Sequence, residues 1–263
     1  MKKYSLLAAC LLLCSCGVEP DTTTATPAAQ NELNETINSV AFDENWYEAD
    51  NLLGTPMLVS RSEETDCAVY VLSEDYDDLE NSQYVIIEHD GTVDRIQAQW
   101  IERFRTAFDV HYRDFENDGE KEIVTVRYAA GGTYCSIEEL AVYKKTDGHF
   151  TCSVFNHDDA LDKIVRWSCD EGRKVLTISA EGFDAFGEFD LSRYTSNGKC
   201  EIEYGNVYYY DVTDEGIKMT AHLFIVIPEA AMPVDSVLLD MDIDFIDGEF
   251  ICSNPVFSLA NET

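Results

Sequence analysis

The pattern that decides the fold is clearest in Leu140-Ala141-Val142-Tyr143-Lys144-Lys145-Thr146-Asp147-Gly148, where an apolar run leads into an acidic residue and a glycine. The run is typical of a β-strand, and Asp-Gly suits a tight hairpin turn because both residues tolerate a positive φ. Similar strand-like runs lie at 67–72, 84–88, 123–128, 174–178, 207–210 and 223–227. The other turn pairs are Asp90-Gly91, Asp118-Gly119, Glu171-Gly172, Asn197-Gly198, Glu215-Gly216 and Asp247-Gly248.

This alternation predicts a mainly β protein of antiparallel, hairpin-rich sheets, built as a β-sandwich or in a partial propeller-like form, with these pairs at the hairpin tips. One stretch departs from it. Between Asp94 and Phe108, apolar side chains recur at spacings of three and four residues, which predicts one amphipathic helix. Gln97-Ala98-Gln99 would also suit a strand. Otherwise we expect little helix.

The N-terminus carries an export signal. Lys2 and Lys3 precede an apolar run at 6–13, which is too short to span a bilayer. The following Leu13-Cys14-Ser15-Cys16-Gly17 resembles the lipobox of bacterial lipoproteins. That resemblance implies a signal peptide at 1–15, lipidation of Cys16, and anchoring at the extracytoplasmic face of the cell membrane. An ordinary cleaved signal without a lipid is the alternative.

Beyond Cys16, composition divides the chain. Residues 16–40 have few bulky apolar side chains, so we expect a lipidated N-terminus followed by a flexible tether. A polar cluster at 156–160 then separates two β-rich halves, 41–155 and 160–260. We expect the second half to pack on the first, because no long linker makes them independent.

The charge balance limits the partners. The chain has 18 Lys and Arg residues against 51 Asp and Glu residues, a net charge of -33. Such a field repels nucleic acid and anionic membrane surfaces, so the expected membrane contact is the lipid anchor alone. Most of these acidic side chains are expected to be solvated surface residues.

One motif suggests a site for a metal ion. In the stretch 114–122, oxygen donors stand at positions one, three and five, a glycine at six and a carboxylate at nine. This spacing lets oxygen ligands converge on a hard cation, with a main-chain carbonyl at position seven. The predicted ligands of a Ca²⁺ ion are therefore Asp114, Glu116, Asp118, Glu120 and Glu122.

The loop runs directly into a strand at Ile123 rather than into a helix. It therefore resembles the calcium loop of VCBS/FG-GAP-type repeats in exported proteins, although Glu116 is longer than the usual ligand and Asn117 replaces a glycine. The alternative is a plain acidic hairpin turn. With Gly131-Gly132-Thr133 and the strand at 138–143, the layout is also similar to uncharacterised lipoproteins of gut-dwelling Gram-positive bacteria. This second resemblance implies a fold and a location, and no activity.

The sequence gives little sign of catalysis. It contains no Gly-x-Ser-x-Gly, His-Glu-x-x-His, phosphate-loop or dinucleotide motif. The exported part has six cysteines, which permit up to three disulfides or free thiols: Cys67, Cys135, Cys152, Cys169, Cys200 and Cys252. We therefore expect a lipid-anchored, noncatalytic binding module whose ligand is an envelope protein or a glycan. The alternative is an extracellular, glycosidase-like hydrolase that uses an acidic pair.

Overall fold

The computed structural model describes residues 54–260 apart from 76–81, 99–107, 117, 133–134, 214 and 229. The predicted signal peptide, tether and lipidation site at Cys16 lie outside the described residues. Within the described part, no helix combines the length and apolar character needed to cross a membrane. The described chain divides into two compact units, which we call the N-terminal unit (54–155 and 206–212) and the C-terminal unit (156–205 and 213–260).

The protein is mainly β, as the sequence predicts, with antiparallel sheets. In chain order the elements are β1 (Met57–Ser62), β2 (Cys67–Ser73), β3 (Gln83–His89), β4 (Thr92–Gln97), β5 (Phe108–Arg113), β6 (Glu122–Gly132), β7 (Cys135–Thr146), β8 (His149–Val154), α1 (His157–Ile164), β9 (Val165–Asp170), β10 (Val175–Ala180), β11 (Phe186–Asp190), β12 (Glu201–Glu203), β13 (Val207–Thr213), β14 (Gly216–Val226), β15 (Asp235–Ile246) and β16 (Glu249–Leu259).

The N-terminal unit contains two sheets that share one core. Strands β1 to β4 form a four-stranded antiparallel sheet in sequence order. Strands β5, β6 and β7 pair antiparallel, β8 also pairs with β7, and β13 joins β7 in parallel. The shared core buries apolar side chains from both sheets, among them Val69, Val85, Ile87, Ile96, Ile123, Ala141, Tyr143 and Phe150. This arrangement is sandwich-like, with the β5–β6 connection at one end.

The C-terminal unit contains a small and a large antiparallel assembly. Strands β11, β10 and β9 form a three-stranded sheet. Strands β14, β15 and β16 pair in order, and β12 adds to β14. The side chains of β14 and β15 alternate between buried apolar and more exposed polar residues, as in a sheet with one face on a core. A disulfide between Cys169 and Cys200, with the Cα atoms 6.2 Å apart, closes this unit.

The helix prediction for 94–108 is wrong where the structure describes it. Asp94 to Gln97 belong to β4, and Phe108 begins β5. Pairing with β3 decides this, because Ile96 lies opposite Val85 and both side chains enter the core. The remaining residues of that prediction, 99–107, lie outside the described residues.

The described helix α1 begins at the polar cluster that separates the two predicted halves, where the second compact unit also begins. The Asn156 side chain accepts a hydrogen bond from the Asp159 backbone N–H at 3.1 Å, so Asn156 is the N-cap. Acidic residues occupy the first turn and Lys163 occupies the last turn. Their charges interact favourably with the two ends of the helix dipole. Ala160, Leu161 and Ile164 are buried. The cluster is therefore a helix start.

Four of the predicted turn pairs lie at hairpin tips: Asp90-Gly91, Asp147-Gly148, Glu171-Gly172 and Asp247-Gly248. Asp118-Gly119 lies in the longer β5–β6 connection, and Glu215-Gly216 in the β13–β14 connection. The prediction is wrong for Asn197-Gly198, because its flanking strands β11 and β12 pair with β10 and β14 instead. Gly198 has φ +74°, and a Cβ there would lie 2.5 Å from the Glu171 carbonyl oxygen. The glycine permits this close approach.

Candidate metal centre

The acidic loop between β5 and β6 brings three of its predicted ligands together. The strands that hold it are in register, with Arg113 opposite Glu122. One carboxylate oxygen from each of Glu116, Asp118 and Glu122 lies within 4.8 Å of the other two. The local sequence therefore produces a tight cluster of three carboxylates, with Glu122 buried and Asp118 exposed.

Asp114 is not one of the three clustered carboxylates. Its Oδ1 accepts the backbone N–H of Asp118 at 3.0 Å, and its Oδ2 accepts that of Gly119 at 3.0 Å. The Asp118 Oδ1 in turn accepts the backbone N–H of Glu120 at 2.9 Å. These bonds shape the loop around Gly119, whose φ is +90°. The Asp114 side chain therefore stabilises the backbone of the loop. The Glu120 side chain is exposed.

Glu122 is the buried member of the cluster. Its Oε2 accepts the Phe115 backbone N–H at 2.7 Å, which ties the start of the loop to the start of β6. Burial raises the pKa of Glu122, and the Asp118 carboxylate raises it further, whereas the backbone N–H donors lower it. The ionised form of Glu122 is therefore disfavoured relative to the protonated form unless a positive charge lies in the cluster.

A lysine from another strand supplies one such charge. The Lys144 ammonium, on β7, donates a hydrogen bond to Glu116 Oε2 and lies 3.6 Å from Asp118 Oδ2. The hydrogen bond to Glu116 and the charges of Asp118 and Glu122 raise the pKa of Lys144. The three carboxylates thus face one fixed cation, and a metal ion entering the cluster competes with it.

Comparison with protein-family models, with curated proteins and with solved structures gives no match to this chain.

A second polar cluster was missed by the sequence reasoning. The buried Asp94 carboxylate on β4 accepts a hydrogen bond from His89 Nε2 at 2.8 Å and from His149 Nδ1 at 2.8 Å. It also accepts the Phe150 backbone N–H at 2.8 Å. Because His149 and Phe150 belong to β8, this one carboxylate joins the two sheets of the N-terminal unit. Nothing in the sequence links residues so far apart.

The six cysteines in the described part of the chain include one disulfide pair. Cys169 and Cys200 are bonded, whereas Cys67, Cys135, Cys152 and Cys252 form no disulfide. Burial raises the pKa of the Cys152 thiol to about 12, so it is protonated at neutral pH and a poor nucleophile. Burial also raises the pKa of the Cys67 thiol, so both of these thiols are protonated at neutral pH.

One further carboxyl bears on the hydrolase alternative. Burial raises the pKa of Glu138 on β7, and the nearby Asp109 carboxylate raises it further. The Glu138 Oε2 is already engaged, because it accepts the Tyr210 backbone N–H at 2.8 Å. This hydrogen bond connects β13 to β7, so Glu138 has a structural role.

Proposed function

We propose that this protein is a lipid-anchored, noncatalytic binding module on the extracytoplasmic face of the cell membrane, and that its Asp114–Glu122 loop takes one calcium ion. The observation that carries the proposal is the convergence of Glu116, Asp118 and Glu122 within 4.8 Å. Hard oxygen donors from a single tight loop suit Ca²⁺, which accepts six to eight oxygen ligands in flexible geometry.

Electrostatics supports a divalent ion in this loop. Carboxylates a few ångströms apart repel one another, and Lys144 supplies only one positive charge against three potential negative charges. Calcium supplies two charges and can bind all three carboxylates at once. Its arrival would release the Lys144 ammonium, whose side chain is already 27% exposed. In this account the lysine holds the loop in its apo form.

The proposed location and the acidic charge of the chain support the proposed binding role. The lipidated Cys16 would tether the module to the membrane through residues 16–40, and the strongly acidic chain would avoid nucleic acid and anionic lipid. An envelope protein or a glycan remains the partner class. Calcium would order the β5–β6 loop of the proposed module.

Isothermal titration calorimetry tests the calcium assignment. The purified chain should bind one Ca²⁺ ion, and Asp118→Ala should weaken that binding strongly because it removes a charged ligand from the exposed side of the loop. Asp109→Ala, a change at an exposed carboxylate on β5, is the matched control and should leave binding unchanged. Absence of binding heat with the wild-type chain would refute the calcium assignment.

Membrane fractionation tests the anchor separately. Cys16→Ser should release the protein into the medium or leave it uncleaved, since the lipid is the only hydrophobic attachment proposed. Membrane partition equal to that of the wild type would contradict the lipoprotein assignment and leave the calcium site untouched.

A further inference from the structure

We propose that the outer edge of β9, centred on Trp167, is a docking edge for an extended, basic segment of a partner polypeptide, which adds to the sheet as a further strand. The inference rests on the binding role proposed above and gives it a surface and a partner class. The segment alternates apolar side chains with lysine or arginine. Main-chain hydrogen bonds hold it, and its side chains determine which segments bind.

Strand β9 lies at the edge of the three-stranded sheet in the C-terminal unit. It pairs with β10 on one side, and no other described strand pairs with it on the opposite side. The Glu181 backbone N–H donates to the Ile164 carbonyl at 2.7 Å, which fixes the alternation of bonds along the antiparallel pair. Arg166 and Ser168 therefore bond to β10, and the backbone N–H and C=O of Trp167 point away from the sheet. Backbone groups of this kind are a template for another strand.

The middle of this edge is open, whereas its two ends are held within the chain. At the start of β9, the backbone N–H and C=O of Val165 are both already hydrogen-bonded. At the other end, the disulfide fixes Cys169. The three residues between these ends are exposed: Arg166, Trp167 and Ser168. The open part of the edge therefore accepts a short extended segment.

Trp167 offers an apolar anchor at this edge. It lies opposite Ile178 in the β9–β10 register, so the two side chains share one face of the sheet. Ile178 is fully buried, whereas Trp167 is 41% exposed. The apolar side chains of an added strand would cover the exposed part of this ring. Tryptophans that become buried in this way carry a large share of the binding energy at protein interfaces.

The opposite face of the sheet determines the charge of the partner. The strand residues of that face include three acidic side chains, Asp170, Glu188 and Asp190, and one basic side chain, Arg166, which is already paired with Glu181. Basic side chains on the same face of an added strand are therefore attracted to it. The net charge of -33 acts in the same direction. It also opposes pairing of this edge with a second copy of the chain.

A labelled peptide that alternates valine and lysine tests the docking edge. The purified full chain, with its disulfide intact, should bind this peptide at physiological ionic strength, as measured by fluorescence anisotropy. A peptide of the same composition, with its valines and lysines in two separate blocks, is the control for charge, because it cannot present an apolar and a basic face as a strand. Equal binding of the two peptides would overturn the proposal, as would absence of binding by the alternating peptide.

Two substitutions at one position separate the ring from the backbone. Trp167→Ala removes the anchor and should weaken peptide binding about fivefold or more. Trp167→Pro also removes the outward N–H, which β10 does not use, and should weaken binding by about a further threefold. Phe186→Ala, at an aromatic side chain that is 71% exposed on β11, is the matched control and should leave the affinity unchanged. Equal affinities of the alanine and proline variants would contradict strand addition.

Hydrogen exchange in the wild-type chain locates the bound peptide without any substitution. The peptide should slow exchange of the Trp167 amide and leave that of Ser168, which already bonds to β10, nearly unchanged. Asp118→Ala should lose calcium binding and keep peptide binding, so failure of the acidic loop and failure of this edge give different results. Peptide binding without protection of the Trp167 amide would overturn the docking edge while leaving the proposed binding role intact.

Discussion

The Lys144 ammonium lies 3.6 Å from Asp118 Oδ2 while it donates a hydrogen bond to Glu116, so a side chain from β7 stands among the carboxylates of the β5–β6 loop. This relationship gives the acidic loop a cation of its own. It also defines what a calcium ion has to displace.

Replacing this lysine should strengthen calcium binding. Lys144→Met keeps the aliphatic stem but removes the competing charge, and a partly exposed ion pair is worth up to about 1 kcal/mol. Calcium affinity should therefore rise by about fivefold, measured by isothermal titration calorimetry. Lys145→Met is the matched control, since Lys145 pairs with Asp90 instead. An equal gain in both variants would point to overall charge rather than to competition at the loop.

The shared carboxylate of Asp94 should be essential to the N-terminal unit. Asp94→Ala leaves the His89 ring and the Phe150 backbone N–H without their acceptor, and such a loss costs about 3–5 kcal/mol of unfolding free energy. Asp109→Ala, at an exposed position, should cost no more than about 0.5 kcal/mol. Urea denaturation measures both. An equally small loss of unfolding free energy in both variants would show that the Asp94 contacts are not needed for stability.

The disulfide should stabilise the C-terminal unit mainly through its unfolded state. Cys169 and Cys200 are separated by 31 residues, and closing a loop of that size is worth about 3–4 kcal/mol in the chain-entropy model. The double variant Cys169→Ala with Cys200→Ala should lose that amount in a denaturation experiment. Cys252→Ala, which removes a cysteine that forms no disulfide, is the comparison. A loss below about 1 kcal/mol would contradict the assigned bond.

Acid should weaken the C-terminal unit through His222. Burial lowers the pKa of His222 below its ordinary 6.5, and the Asp240 carboxylate opposes this shift. The folded state therefore takes up this proton at lower pH than the unfolded chain. The resulting stabilisation is fully present above 6.5 and is lost as the pH falls through the lowered pKa. Denaturation series across this range should show a shallower pH dependence for His222→Gln than for the wild type; identical slopes would contradict the prediction.

Local patterns predicted much of the fold. Strand runs and acidic-glycine pairs specify hairpins within a few residues, and the tips at Asp147-Gly148 and Asp247-Gly248 follow directly from them. The spacing around Ile96 fitted a helix equally well, and only its pairing with β3 made it a strand. The polar cluster at 156–160 lies where the two compact units divide, and it also holds the Asn156 cap of α1, which the sequence analysis does not predict.

The contacts at the candidate sites are also of two kinds, those within one loop and those between residues far apart in the sequence. Glu116, Asp118 and Glu122 converge because one short loop carries them all, which is visible in the sequence. Lys144 lies 28 residues from Glu116, and His149 lies 55 residues from Asp94. Contacts at such separations depend on how the sheets pair, and no local pattern encodes them.

Calorimetric melting of the purified chain with and without calcium tests the central claim most directly. Calcium bound to the folded state alone stabilises it by about 2.7 kcal/mol at a free concentration one hundred times the dissociation constant, which raises Tm by several degrees. We predict this rise for the wild type and its loss in Asp118→Ala. A wild-type Tm unchanged at about millimolar calcium would contradict the account, because the loop would then be an acidic turn closed by Lys144 alone.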